Sequence, residues 1–214
     1  MIQAVVISNG LEGIQTYFVS NKLVTYTILE IEENFNPNLN SFDLLIVPNG
    51  CDHIAMASIK DKVAAFLDNG KVLFCFDGWF TNWIPGNQWI MSNEKKSIDV
   101  RYHIKTDRYQ LLKDIDINQL IYSHNISGWW ACGYIETSKN ADVLLEDTWQ
   151  RPIIVLDKKS TNGIMILTAS GPLGDSGAIP SDEESSYAAL GILYQNMLHF
   201  ILKKKDYANN RVII

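Results

Sequence analysis

Basic residues are few in this chain, with 18 Lys and Arg against 24 Asp and Glu, which gives a net charge of −6. A general nucleic-acid binder needs clustered Lys and Arg to neutralise phosphates. The only basic run, Lys203-Lys204-Lys205, closes a predicted helix, where cations complement the helix dipole. We therefore expect no nucleic-acid partner.

Cysteine is scarce as well. Cys51, Cys75 and Cys132 are odd in number and widely spaced, whereas a disulfide framework usually shows an even count. No apolar run reaches the roughly 20 residues that a membrane-spanning helix needs, and "MIQAVVISNG" lacks the basic start of a secretory signal. These absences predict a cytoplasmic protein with no membrane partner.

Cofactor motifs are missing too. The chain has neither a G-x-G-x-x-G sequence nor a Walker-type loop to cradle phosphates, and it has no G-x-S-x-G hydrolase elbow. A metal site would have to be assembled from Cys51, His53, His124 and Cys132, whose spacing matches no structural-zinc pattern. We expect no cofactor and no metal.

What the chain does have is an alternation of predicted strands and helices. Its 214 residues, 47% of them apolar, suit one domain, which we place at 1–206, with a C-terminal tail at 207–214. Runs rich in Val and Ile predict strands at 2–8, 23–31, 42–48 and 71–76. Apolar spacing predicts helices at 11–22 and 54–68, the second capped by Asn69-Gly70.

The second half is less regular. A strand is predicted at 97–104 and one or two short helices at 108–122, followed by a hairpin of 152–157 and 163–169. A last helix carries an apolar stripe of Leu190, Tyr194, Met197 and Ile201. Strands alternating with helices imply parallel βαβ units. The predicted fold class is α/β, with a flavodoxin-like, doubly wound, mainly parallel sheet, a late β-hairpin and a C-terminal helix.

Three stretches resemble class I glutamine amidotransferase-like domains, closest to their ThuA-like relatives. They are "FDLLIVPNG" (42–50), "DNGKVLFCFDG" (68–78) and "GIMILTASGPLGD" (163–175). The resemblance implies a flavodoxin-like sheet in which a sharp elbow follows the fourth strand. In working members that elbow carries a nucleophilic cysteine, assisted by a His and a Glu on a late loop.

The glutaminase triad, however, is absent from the matching positions. The elbow pattern G-x-C-x-G places Gly78 at its last position, which puts Phe76 where the nucleophile should be and Cys75 one residue too early. The late loop at 169–175 contains no His, and a Cys without a base stays mostly a thiol. We predict that Cys75 is a buried core residue and that the chain is not a glutaminase.

The carboxyl ends of neighbouring parallel strands form the usual ligand site of open α/β sheets. The segment after the third strand offers Cys51, Asp52 and His53, and the one after the fourth offers Asp77, Gly78 and Trp79. Asp77 is either a carboxylate that binds a hydroxyl or acts as a base, or a plain Asp-Gly turn. Cys51 beside His53 is a lesser candidate for a nucleophile.

Tryptophans mark two further segments. Trp79, Trp83 and Trp89 share one predicted loop, and His124 lies close to Trp129 and Trp130. Tryptophans of this kind either fill the core or form a platform for a sugar, a nucleotide or a partner protein.

Two functions follow from these residues. The first is binding of a small polar molecule, such as a sugar, or of a partner protein in a Trp-rich cleft. The alternative is a hydrolase or isomerase that uses Asp77 and His124 as general acid and base. Whether the chain is an enzyme stays open. Its oligomeric state also stays open, and a homo-oligomer is one of the possibilities.

Overall fold

A mixed β-sheet organises the fold in the computed structural model, which describes residues 1–8, 10, 14–76, 78–96, 99–123, 126–127, 131–170 and 186–211. Within them, the sheet has eight strands in the order β2-β1-β3-β4-β12-β11-β10-β6. The strands from β2 to β12 in this order run parallel, and β11, β10 and β6 continue the sheet with antiparallel pairings. The fold is therefore α/β with a mostly parallel sheet.

The parallel part of the sheet contains the strands that the apolar runs predict. They are β1 (Ile2–Ser8), β2 (Val24–Glu30), β3 (Leu44–Val47), β4 (Val72–Phe76) and β12 (Ile164–Thr168). Every residue of β3, β4 and β12 is buried, as expected for parallel strands that are covered on both faces. The predicted hairpin is confirmed, since β11 (Pro152–Asp157) pairs antiparallel with β12.

The helices bury the faces that their apolar spacing predicts. The long helix α5 (Ser186–Arg211) buries Leu190, Tyr194, Met197 and Ile201. Tyr194 packs edge-on against Phe74 of β4 at 6.1 Å between ring centroids. Because α5 runs to Arg211, residues 207–211 of the predicted C-terminal tail continue this helix.

The predicted helix at 54–68 is two helices, α2 (His53–Ser58) and α3 (Lys60–Asp68), joined at Ile59. The Ser58 hydroxyl donates to the Ala55 carbonyl at 2.7 Å, a contact of the kind that bends helices. Gly70 ends α3 with φ of 76°, as the predicted C-cap requires. At the predicted helix 11–22, the described residues show only α1 (Ile14–Tyr17).

The remaining elements were largely missed by the sequence patterns. Two short strands, β5 (Gln88–Met91) and β9 (Gly133–Glu136), pair with each other outside the main sheet. Within the described part of the predicted strand at 97–104, residues Tyr102–Ile104 form β6, and the region 108–122 contains α4 (Ile117–Ile121). The others are β7 (Tyr122–Ser123), β8 (Ile126–Ser127) and β10 (Asp142–Asp147).

A buried carboxylate anchors the loop between β4 and β5. Asp157 accepts hydrogen bonds from the Asn87 amide at 2.8 Å, the Ser138 hydroxyl at 2.7 Å and the Ser160 hydroxyl at 2.6 Å. Burial alone would raise the pKa of Asp157, but these hydrogen bonds outweigh it and lower the pKa to about 2. The loop is therefore tied at its far end to the turn between β11 and β12.

None of the helices in the described part of the chain combines the length and hydrophobicity needed to cross a membrane.

Candidate functional site

Two loops meet at His53, beyond the carboxyl ends of β3 and β4. The Thr81 hydroxyl donates to the His53 carbonyl at 2.7 Å, and the Trp83 indole N–H donates to His53 Nδ1 at 3.1 Å. The rings of His53 and Trp83 are stacked, with centroids 6.1 Å apart and planes at 19°. The two segments therefore lie together, as their positions after neighbouring parallel strands predicted.

Local backbone chemistry places His53 at the start of a helix. After β3 the chain turns through Gly50, whose φ of 78° suits glycine. Asp52 then caps α2, since its Oδ1 accepts from the backbone N–H groups of Ile54 at 2.9 Å and Ala55 at 3.0 Å. The Asp52 side chain, predicted as ligand-binding, thus has a structural role as an N-cap.

A cavity of about 560 Å³ opens between these loops. It is lined by Asn49, Gly50, Cys51, Asp52, His53, Ile54, Gly78, Phe80, Thr81, Trp89, Met91 and Cys132. Four of the predicted ligand-binding residues are therefore brought together around one space. The prediction that they bind a ligand remains a prediction.

The outer part of the cavity is apolar and exposed. Ile54, Phe80 and Met91 expose 79%, 68% and 58% of their surface. Phe80 packs edge-on against Trp89 with centroids 5.0 Å apart. A large exposed apolar patch at a concavity is typical of a binding surface.

Trp89 and Met91 of β5, together with Cys132 just before its partner strand β9, also line the cavity. This pairing depends on Gly133, because a Cβ atom there would overlap the carbonyl oxygen of Ile90. Sequence analysis missed Phe80, Thr81 and Met91 as members of the site. The aromatic and β-branched residues of "QWIM" were the available signal for β5, but nothing local indicates its partner strand, whose paired residues lie 42 to 48 positions later.

Burial leaves the two candidate reactive groups of the cavity neutral. It raises the pKa of the Cys51 thiol to about 12, and the nearby Asp52 carboxylate adds to the effect. Roughly one thiol in 100,000 is then ionised near neutral pH. Burial also lowers the pKa of His53 to about 4, against a smaller opposing effect of Asp52. Since Trp83 already occupies Nδ1, His53 is not positioned to activate Cys51.

The tryptophans of the β4–β5 loop are in the core. Trp79, Trp83 and Trp89 expose 1%, 2% and 5% of their surface, so of the two alternatives left open by the sequence, these three tryptophans fill the core. Trp79, predicted as ligand-binding, does not line the cavity. The indole N–H groups of Trp79 and Trp89 have no hydrogen-bond partner in the described part of the chain. Only Trp89 of the three lines the cavity.

The elbow after β4 lacks an accessible thiol. Cys75 and Phe76 are both fully buried, which confirms the prediction that Cys75 is a core residue. Gly78 follows with φ of 63°, a conformation that favours glycine.

Several predicted site residues lie outside the described residues. These are Asp77, His124, Trp129 and Trp130, so the hydrolase or isomerase alternative stays a prediction. Among the residues that the structure does describe, no group of three or more His, Cys, Asp and Glu is arranged to hold a metal ion.

Comparison with known proteins gives similarity of fold. No protein-family model matches the chain, and no curated protein matches it at a significant level. A cytoplasmic protein from Salmonella typhimurium LT2 is similar in structure, with a TM-score of 0.56 and 10% identity over 94% of this chain and 99% of that chain. At this identity the likeness supports the α/β fold and does not extend to function.

Two beta-galactosidases are more distant. A cold-adapted enzyme from Rahnella sp. R3 has a TM-score of 0.48 and 12% identity, and it covers 93% of this chain. A catalytic mutant of a GH42 enzyme from G. stearothermophilus has a TM-score of 0.47 and 11% identity, again over 93%. The chain spans 31% and 30% of their lengths.

Proposed function

We propose that this chain is a non-glutaminase, amidotransferase-like protein that binds a small molecule in the cavity beyond β3 and β4. The observation that carries the proposal is the convergence of Cys51, Asp52, His53 and Gly78, from two separate loops, on one cavity. Its volume of about 560 Å³ falls within the roughly 300–1,000 Å³ typical of small-molecule sites.

The strand order supports the amidotransferase-like part of this proposal. In the parallel region the order β2-β1-β3-β4-β12 corresponds to the flavodoxin-like order, in which ligands bind outside the carboxyl ends of the strands. The full burial of Cys75 supports the absence of glutaminase chemistry. We also propose a cytoplasmic location, supported by three cysteines that form no disulfide.

A second candidate is docking of a partner protein on the same region. The specific observation in its favour is the exposure of Ile54, Phe80 and Met91 side by side around the cavity. Apolar and aromatic side chains of this kind often anchor protein interfaces.

A thermal-shift screen with a cavity-filling variant tests the first proposal. Sugars, nucleotides, amino acids and neutral aromatic fragments are added to the protein, since a ligand that binds only the native state raises its melting temperature. Met91→Trp fills the cavity edge. Ile104→Trp, at another exposed apolar residue on an edge strand that is not part of the cavity, is the matched control.

We expect ligands that stabilise the wild type and Ile104→Trp but not Met91→Trp. If the ligands that stabilise the wild type stabilise Met91→Trp equally well, they do not bind in this cavity. If no ligand acts on the wild type, the small-molecule proposal is wrong, and size-exclusion chromatography of the wild type and Phe80→Ser then tests the apolar surface as an interface.

A further inference from the structure

The strand β2 forms one edge of the main sheet, where β1 is its only neighbour among the described strands. Successive residues of a strand direct their backbone N–H and C=O groups to opposite sides. Leu23 directs its carbonyl at β1, since this oxygen accepts from the Ile2 N–H at 2.8 Å. Every second residue after Leu23 therefore faces β1, and the residues between them direct their backbone groups outward. These are Val24, Tyr26, Ile28 and Glu30.

The loop before β2 closes the first half of this outer edge. The Asn21 N–H donates to the Val24 carbonyl at 2.9 Å, and the Asn21 side chain accepts from the Val24 N–H at 3.3 Å. The Ser20 hydroxyl oxygen accepts from the Tyr26 N–H at 2.9 Å. The edge is therefore occupied as far as the Tyr26 N–H.

The second half of the edge is open. No hydrogen bond joins the outward N–H and C=O groups of Ile28 and Glu30 to any residue that the structure describes. Unpaired groups at a sheet edge are a template for another strand. Addition of an extended peptide to such an edge is a recurrent mode of recognition, in which main-chain hydrogen bonds supply affinity and side-chain pockets supply specificity.

A groove of about 650 Å³ adjoins the open half. It is lined by residues 28–30, by residues 32–38 of the loop that follows β2, and by Ser41 and Phe42. Phe35 and Phe42 are half-buried there and give the groove apolar surface. None of the lining residues belongs to the cavity beyond β3 and β4. The groove is therefore a separate place for a ligand, next to an open sheet edge.

Three carboxylates make the groove acidic. Glu30, Glu32 and Glu33 are exposed and line it, whereas none of the lining residues is a Lys or an Arg. Within the described part of the chain these glutamates form no ion pair. One ammonium lies nearby, since Lys62 donates to the Pro37 carbonyl of the loop at 3.0 Å. A basic partner is complementary to this excess of negative charge, whereas a second copy of the chain would bring the same carboxylates against it.

We infer that β2 receives a short, extended, basic segment of another protein as an additional strand of the sheet. The backbone of this segment pairs with Ile28 and Glu30, and its Lys or Arg side chains lie beside the three glutamates of the groove. The inference goes beyond the proposed function and does not depend on it, because it concerns a different surface and a different class of ligand.

Three pentapeptides with blocked ends test each part of this inference. The first has the sequence KVRVK, in which Val favours the extended conformation. The second is the same peptide N-methylated at its inner residues, which keeps the charges and removes the inner backbone donors. The third, EVEVE, reverses the charge. Each is titrated into ¹⁵N-labelled protein up to about 5 mM, so that a Kd in the millimolar range is detected.

The backbone amide resonances report where a peptide binds. The amides of Ile28 and Glu30 point outward and are expected to shift. Those of Thr27 and Leu29, on the same strand, point at β1 and serve as an internal control.

We expect KVRVK to bind the wild type and to shift the amide resonances of Ile28 and Glu30 more than those of the two control residues. The N-methylated peptide should bind at least about fivefold more weakly, since one backbone hydrogen bond is worth about that factor, and EVEVE should not bind. Glu32→Lys, which reverses one charge of the groove, should weaken the binding of KVRVK about threefold. Glu94→Lys, at an exposed glutamate outside the groove, should leave it unchanged.

Four results would contradict the inference, and each is read on the wild type. Absence of binding by KVRVK overturns it. Equal binding of the N-methylated peptide, with no shift at Ile28, shows attraction to the acidic surface alone and overturns strand addition. Equal binding of EVEVE overturns the choice of a basic partner. If the Ile28 and Glu30 resonances shift with the concentration of the protein itself, a second copy occupies the edge and the inference is wrong.

Discussion

The neutral state of His53 predicts a specific loss of stability in mild acid. In the unfolded chain this imidazole takes up a proton near its ordinary pKa of 6.5, whereas in the fold burial delays protonation until about pH 4. Between these values the unfolded state binds more protons than the folded state, so the free energy of unfolding falls as the pH falls. The contribution of His53 is complete above pH 6.5 and is lost progressively on the way down to pH 4.

The size of this loss follows from the two pKa values. At about pH 5 the unfolded imidazole is almost fully protonated and the folded one hardly at all, which corresponds to at most about 2 kcal/mol. Such a loss is a large part of the roughly 5–15 kcal/mol that stabilises a typical domain. It should therefore be visible in a simple unfolding curve.

Urea unfolding followed by tryptophan fluorescence, at about pH 7.5 and about pH 5, measures this difference. The reference is His53→Gln, in which the amide oxygen can still accept from Trp83 but cannot titrate. His103→Gln removes an exposed histidine on β6 and controls for the loss of one imidazole. We expect the wild type to lose up to about 2 kcal/mol more than His53→Gln between the two pH values. An equal loss in both proteins would refute the argument.

Two further predictions concern the residues that hold the site in place. Asp157→Asn should cost about 2 kcal/mol in urea unfolding at neutral pH, because three side-chain hydrogen bonds to the carboxylate are weakened. The Asp157 carboxylate contributes fully to the free energy of unfolding above its ordinary pKa of 3.8, and less as the pH falls towards 2. The stability difference between the wild type and Asp157→Asn should therefore shrink between these two pH values. A difference that does not change with pH contradicts this account. Cys75→Ala should cost about 1–2 kcal/mol through the small space left in β4 and leave any ligand response of the cavity intact; loss of that response in a folded Cys75→Ala protein would show that the elbow thiol matters.

The parallel half of the sheet was predictable because its signals are local. A strand covered on both faces is apolar at nearly every position. β3 and β4 appear in the sequence as such runs, and so does β1 apart from Gln3 and Ser8. The strands β5 and β9 carry no comparable signal. They lie outside the main sheet, and their paired residues are 42 to 48 positions apart in sequence. Their contact depends on the missing side chain of Gly133, which only the folded arrangement explains.

The site was predictable only as far as topology dictates it. Neighbouring parallel strands end at the same edge of a sheet, which is sufficient to bring Cys51 and His53 close to Gly78. The direction of the tryptophans in the β4–β5 loop depends on how that loop is fastened. Asp157 holds its far end through Asn87, and His53 holds Trp83. All three indoles are buried, and of the three Trp89 lines the cavity.

His53 shows why structural and functional roles are hard to separate from sequence alone. Its Nδ1 atom and its carbonyl oxygen join the two loops, which is the work of a core residue. The same hydrogen bond from Trp83 fixes the tautomer, with the proton on Nε2, of a residue that also lines the cavity. A substitution at Trp83 should therefore affect both functions of His53, whereas one at Trp89 should affect only the cavity. This difference between two neighbouring tryptophans is a property of the folded loop, since both are buried and both lie in one short stretch of sequence.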